Sequence, residues 1–143
     1  MNCAEHLVEA CARNAWKVDL EYRKMLGDED TTEWEHTNEE DKATMRDGVI
    51  FVLRGVSTPD RHRWWVATKE AEGWTYGSEM DAVAKTNPLL VPFESMPAEN
   101  RVQETLFEQC VLATVHVFWT GIVADASRLR TSFDPPIHPL QPA

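Results

Sequence analysis

The stretch 61–97, RHRWWVATKEAEGWTYGSEMDAVAKTNPLLVPFESMP, constrains the fold more than any other. Thr58-Pro59 predicts a helix start just before it, with Thr58 as the cap and Pro59 at the first helical position, where its missing N–H costs nothing. Gly73 suits the left-handed residue that follows a helix C-terminus, and Trp74-Thr75-Tyr76-Gly77 then opens an extended segment of aromatic and β-branched residues. A polar loop runs on to Asn87. Pro88 drives Asn87 out of helical geometry, and Leu89-Leu90-Val91 is a short apolar run closed by Pro92. Any sheet here is small.

Helical periodicity accounts for most of the remainder. From about Ala4 to Leu26, apolar residues fall at Leu7, Cys11, Ala15, Val18, Tyr22 and Met25, which predicts an amphipathic helix with that stripe in the core. Gly27 ends it, and a polar, acidic loop carrying Trp34 runs from Asp28 to Asn38. Asn38 is a natural N-cap, with Asp41 three residues on, so a second helix runs to about Arg54 with Met45, Val49, Ile50, Val52 and Leu53 on its apolar face. Gly48 inside that helix costs on the order of 1 kcal/mol relative to alanine and permits a close helix contact. From Pro97 a further helix carries Val102, Leu106, Cys110, Ala113 and Val117, and Phe107, Val111 and Thr114 widen the stripe enough for a central core helix. After Thr120-Gly121 a short separate helix, Ile122 to Arg130, is expected. The last stretch, SFDPPIHPLQPA, has four prolines in twelve residues and holds no regular structure. It is either a loose tail or a strap that lays Phe133, Ile137 and Leu140 on a neighbouring subunit.

The chain thus reads as mainly α with minor β, in two helix-loop-helix halves, about 4–55 and 58–120. They form one domain over 1–121, followed by an extension over 122–143. A composition of 43% hydrophobic and 27% charged residues fits a folded domain, and 143 residues suffice for one core but not two. No apolar run reaches the ~18 residues of a membrane span, and MNCAEHLVEAC lacks the pattern of a signal peptide, so a cytoplasmic protein is expected. Cys3, Cys11 and Cys110 show no C-x-x-C spacing, which argues against a disulfide framework and a zinc site. With 24 acidic against 14 basic side chains, the net charge of −10 repels polymeric nucleic acid.

The order His62, Trp65, Lys69, Gly73-Trp74-Thr75-Tyr76-Gly77, Asp81, Lys85, Pro88, Leu90-Val91-Pro92-Phe93 and Met96-Pro97 resembles the Ry repeat of ryanodine receptors. More closely, it resembles small stand-alone Ry-domain proteins of bacteria and their phages. The resemblance covers roughly residues 8–118, more loosely in the first half. Lys69 stands where that family often has Arg, Asn87 where it often has His, and Phe93 where it often has Tyr. The resemblance implies a pseudo-twofold helical domain and an adenine-type nucleotide on the face carrying Trp65 and Lys69. In a phage protein it would imply sequestration of a nucleotide second messenger in the host cytoplasm.

Candidate ligand-binding residues follow from residue chemistry as well. His62, Trp65 and Lys69 are spaced three and four apart, so an imidazole, an indole and an ammonium group line one helix face. Trp65 and Tyr76 offer aromatic faces that stack on a nucleobase or fill a core. Arg61, Arg63 and Lys69 read as the most basic patch of an acidic protein, with Lys85 and Arg101 as further phosphate partners. No nucleophile beside a base, no phosphate-cradling glycine motif and no convincing metal set is present. His36 with Glu33, Glu35 and Glu40 is explained equally well as a solvated charge run. No catalytic residue and no cofactor is expected. The rival expectation is a protein-interaction or assembly module whose tail joins a homo-oligomer.

Overall fold

Asn2 begins the first helix. In the computed structural model, which describes residues 1–128 and side-chain surroundings through 121, its side chain accepts the Glu5 amide at 2.9 Å while the Glu5 carboxylate takes the Asn2 amide at 2.8 Å. This reciprocal cap starts α1, Cys3–Met25. Asn38 caps α2, Glu39–Leu53, by accepting the Asp41 amide at 2.8 Å, as the spacing predicts. The third cap sits one residue earlier than expected. Ser57, not Thr58, accepts the Asp60 amide, and α3 spans Thr58–Ala71. Both are good capping hydroxyls; the three-residue reach to Asp60 selects Ser57 and frees Thr58 for another partner.

These three helices end alike. Gly27, Gly55 and Gly73 adopt positive φ, and the amide one residue beyond each returns to a carbonyl of the last turn: Asp28 to Arg23, Val56 to Phe51 and Trp74 to Lys69, each at 3.0 Å. After α1 and again after α3 comes a polar loop, then a single 3-10 turn, Trp34–His36 or Phe93–Ser95, and then the next helix. The two-half plan is therefore present in the backbone. Among the described residues, extended structure is limited to isolated bridges of Thr75 and Asp81 with Thr86.

α4, Ala98–Arg128, is longer than expected, because the chain stays helical through Gly121. One glycine costs a helix about 1 kcal/mol, too little to break a helix of this length. The expected Pro-rich tail and its residues Phe133, Ile137 and Leu140 lie outside the described residues.

α1 packs along α4, and α2 closes the third side. Cys11, Ala12, Trp34, Val49, Val52 and Val111 form the buried core, with Leu7, Val8, Trp16, Met45, Phe107 and Val115 against it. Cys11, buried on α1, lies with its Sγ 3.9 Å from the Val111 carbonyl oxygen of α4. The predicted stripes are only partly buried. Val18, Met25, Val102 and Val117 are exposed, while Ala12 and Leu20 are buried. Val18 and Val117 instead share a shallow apolar groove with Ala113 and Phe118 on the outer side of the α1–α4 pair. α3 touches the other helices only lightly. The space it leaves matters for function.

Candidate functional site

With Ser57 as the cap, the Thr58 hydroxyl donates to Glu108 Oε2 and accepts from Arg61 Nη2 at 3.0 Å, which ties the start of α3 to α4. One turn into α3, Arg61 keeps only 6% of its surface exposed. Its guanidinium lies 5.3 Å from the centroid of Phe107, and Nη2 is 3.7 and 3.9 Å from carboxylate oxygens of Glu108 and Glu104. Nε and Nη1 are buried with no hydrogen-bond partner. A buried N–H left unsatisfied costs about 1–3 kcal/mol, so these two nitrogens are the least expected feature of the structure.

His62, next in sequence, donates from Nε2 to the Val91 carbonyl oxygen at 2.7 Å, which fixes the tautomer and pins the Leu89–Val91 run beneath α3. Its ring stacks on Trp65 at 5.6 Å and meets the edge of Phe93 at 6.2 Å. Trp64 packs on Phe51 of α2 at 4.8 Å.

Between these groups lies a cavity of about 370 Å³, lined by Arg61, His62, Trp64 and Trp65 of α3, by residues of α2 and α4, and by Asp19 of α1. That volume is at the lower end of small-molecule sites. Gly48 lies on its wall: a Cβ there would sit 3.0 Å from Phe107 Cζ, so the expected close helix contact is present and carries the ring that supports Arg61. Two carboxylates also face the cavity. Asp19 is satisfied, bonded by Arg23 Nε at 2.9 Å and by the Gln103 amide. Glu104 accepts no hydrogen bond among the described residues, lines the cavity and keeps 42% of its side chain exposed. Burial pushes its carboxyl above the usual range and Asp19 adds to this, while Arg61 and His62 pull the other way.

A carboxyl raised in the folded state is neutral in both states below its unfolded value near 4.5 and is penalised once ionised, so its contribution to stability falls as pH rises through the folded pKa. The melting-temperature difference of Glu104→Gln relative to the parent is therefore expected to move in the variant's favour between pH 4 and pH 8 in a thermal-denaturation series. A difference independent of pH would contradict the assigned environment.

The six candidate ligand residues divide in two. Arg61, His62 and Trp65 meet at the cavity. Lys69, Tyr76 and Lys85 do not line it. Lys69 pairs with Glu72 at 3.1 Å over the Trp74 ring, and Lys85 donates to the Glu72 carbonyl at 2.7 Å, where it satisfies an orphan carbonyl at the end of α3. Tyr76 is exposed on the loop. The expected basic patch is not one surface either. Arg61 points inward, whereas exposed Arg63 pairs with Asp60 at 2.7 Å. In the acidic loop, Glu35 pairs with Arg13 and Glu33 with Lys17, and no metal-holding group of three or more His, Cys, Asp or Glu occurs among the described residues.

A family model described as the RyR domain matches residues 53–120, from the last residue of α2 through α3 and its loop to the exposed part of α4. The chain carries a RyR domain. No curated protein matches the chain. The RyR domain supplies the cavity's α3 and α4 walls, while Asp19, Thr44, Met45, Gly48 and Phe51 come from the half that precedes most of the match. Sequence reasoning missed Asp19, Gln103 and Glu104. The available signal was an acidic or amide residue interrupting an apolar helix stripe, Asp19 beside Val18 and Leu20, and Glu104 three residues before Phe107.

Proposed function

We propose that this RyR-domain chain is a non-enzymatic module that binds a small nucleotide-type ligand, a nucleotide second messenger among them, with its base in the cavity between the two halves. The observation that carries this reading is the cavity wall: the aromatic rings of Phe51, Trp64, Trp65 and Phe107 surround the space, and the guanidinium of Arg61, two of whose nitrogens are buried without partners, lines it. Aromatic walls beside a cation suit a planar, electron-rich ligand. Reaction chemistry has less support. His62 is committed to the Val91 carbonyl, and the Thr44 hydroxyl on the same wall donates to its own helix at Glu40. Sequestration of a messenger by a small phage or bacterial protein is the role the resemblance to stand-alone Ry-domain proteins adds, along with an adenine-type base and a cytoplasmic setting. No described helix is long and apolar enough to cross a membrane.

The test is a thermal-shift panel of adenine, guanine, cyclic and ADP-ribose nucleotides, run on the parent and on Trp65→Ala. A ligand at 100 times its dissociation constant adds about 2.7 kcal/mol, several degrees for a domain of this size. Loss of one stacking surface is expected to weaken binding by about 1–3 kcal/mol, so the shift should shrink or vanish in a variant that remains folded by circular dichroism. A silent panel would leave a second reading ahead, an assembly module. Its support is the exposure of Val117 in the outer apolar groove and of Leu112 and Trp119 elsewhere on α4.

A further inference from the structure

The outer groove of the α1–α4 pair has no cover among the described residues. Val18, Ala113, Val117 and Phe118 line it with the half-buried Cys110, and Val117 keeps 70% of its surface exposed. Its two walls are joined, because Asn14 of α1 donates to the Thr114 hydroxyl of α4 at 3.2 Å. Apolar surface arranged in this way is stabilised by whatever removes it from water.

α4 leads directly to a segment that fits. The helix runs to Arg128, and at about 1.5 Å per residue that end lies about 15 Å beyond Phe118 and about 27 Å beyond Cys110. The sequence continues with SFDPPIHPLQPA at 132–143. Proline runs favour an extended helix of three residues per turn, with a rise of about 3.1 Å per residue and no hydrogen bonds of its own. At that period Ile137 and Leu140 share one side, Phe133, Pro136, Pro139 and Pro142 the next, and His138 and Gln141 the third. Two sides are apolar and one is polar. With the chain reversed over 129–132, Ile137 falls about 16 Å and Leu140 about 25 Å back along α4, within the span of the groove. A segment tethered by so few residues is present at an effective concentration in the millimolar range, above that of a second copy in dilute solution.

We propose that residues 133–142 lie back along α4 in the outer groove of their own chain, with Ile137 and Leu140 on Val18, Ala113 and Val117. The inference is independent of the nucleotide reading, whose cavity shares no lining residue with this groove. It bears instead on the assembly reading, because a groove covered by its own chain offers no apolar face there to a second copy.

Thiol alkylation followed by peptide-resolved mass spectrometry tests it. Val117→Cys, in a chain whose exposed Cys3 is replaced by serine, places a reporter in the groove, and Cys11, with no exposed surface, is the internal control. The reporter is expected to react roughly tenfold more slowly in the full chain than in a chain ending at Arg130, the ratio for a cover that is closed far more often than open. Leu140→Asp in the full chain should restore the fast rate, and the slow rate should not change with protein concentration. Equal rates in the full and shortened chains would overturn the proposal. So would protection that disappears on dilution, which would assign the groove to a neighbouring copy. Alkylation of Cys11 in step with position 117 would mean that the change reports unfolding, and would remove the cover as well.

Discussion

Trp34→Ala is expected to lower the unfolding free energy by about 3–5 kcal/mol, measured by urea denaturation. Trp34 sits in the 3-10 turn between α1 and α2, only 4% exposed, and is the largest side chain of the central core cluster. Its ring meets Trp16 edge-on at 5.9 Å, with the Lys42 ammonium and the Arg46 guanidinium each 5.7 Å from its centroid. Its Nε1 donates to Glu9 at 3.2 Å, and Glu9 in turn pairs with Arg46 at 2.9 Å and with Arg13 at 3.3 Å. Truncation would open a cavity where both helices of the first half meet the core and would remove one bond from Glu9. Against a typical total of 5–15 kcal/mol, such a loss leaves the fold marginal. A loss under about 1 kcal/mol would mean that the turn repacks and that Trp34 does not hold the first half together.

That role was only half visible in the sequence. An acidic loop carrying one tryptophan could be seen, but not that the indole turns inward, because burial of a loop residue depends on which helices close over it. The first three helices, the Asn38 cap, the stop at Gly73 and the close contact at Gly48 were legible, since each follows from spacing along the chain or from one residue's backbone preference; the expected break at Gly121 was not found, and α4 runs through it. The site was harder. Arg61 and Arg63 look equivalent in sequence, yet two residues on a helix are about 200° apart, so one enters the cavity and the other faces solvent. Glu104 and Asp19 read as ordinary helix-surface acids because the α3 wall and the end of α2 that enclose them come from distant parts of the chain. Lys69 and Lys85 looked available for phosphate. What commits them is the end of α3, where Glu72 offers a carboxylate to one and a carbonyl to the other.

Arg61→Met separates stability from binding at this site. Removing one partner of a buried ion pair typically costs 3–5 kcal/mol, because the other charge is left stranded in the interior. Here the stranded charges would be Glu104 and Glu108, whose side chains keep 42% and 28% of their surface exposed. The larger penalty lies on Arg61 itself, which is almost fully buried with two nitrogens unpaired, and a methionine of similar length keeps the contact with Phe107 without them. Thr58 loses one hydrogen bond of about 1 kcal/mol and keeps its bond to Glu108. The two sides nearly cancel, so the variant's unfolding free energy should lie within about 1 kcal/mol of the parent's or above it. Ligand binding should behave differently. Hydrogen bonds to a charged group contribute about 1.5–3 kcal/mol, so the ligand found in the nucleotide panel should bind roughly ten- to a hundred-fold more weakly to Arg61→Met. A residue that weakens binding without weakening the fold is kept for the ligand. If Arg61→Met instead unfolds the protein in proportion to its loss of binding, Arg61 is a structural pin between α3 and α4, and the functional reading loses the cation on the cavity wall.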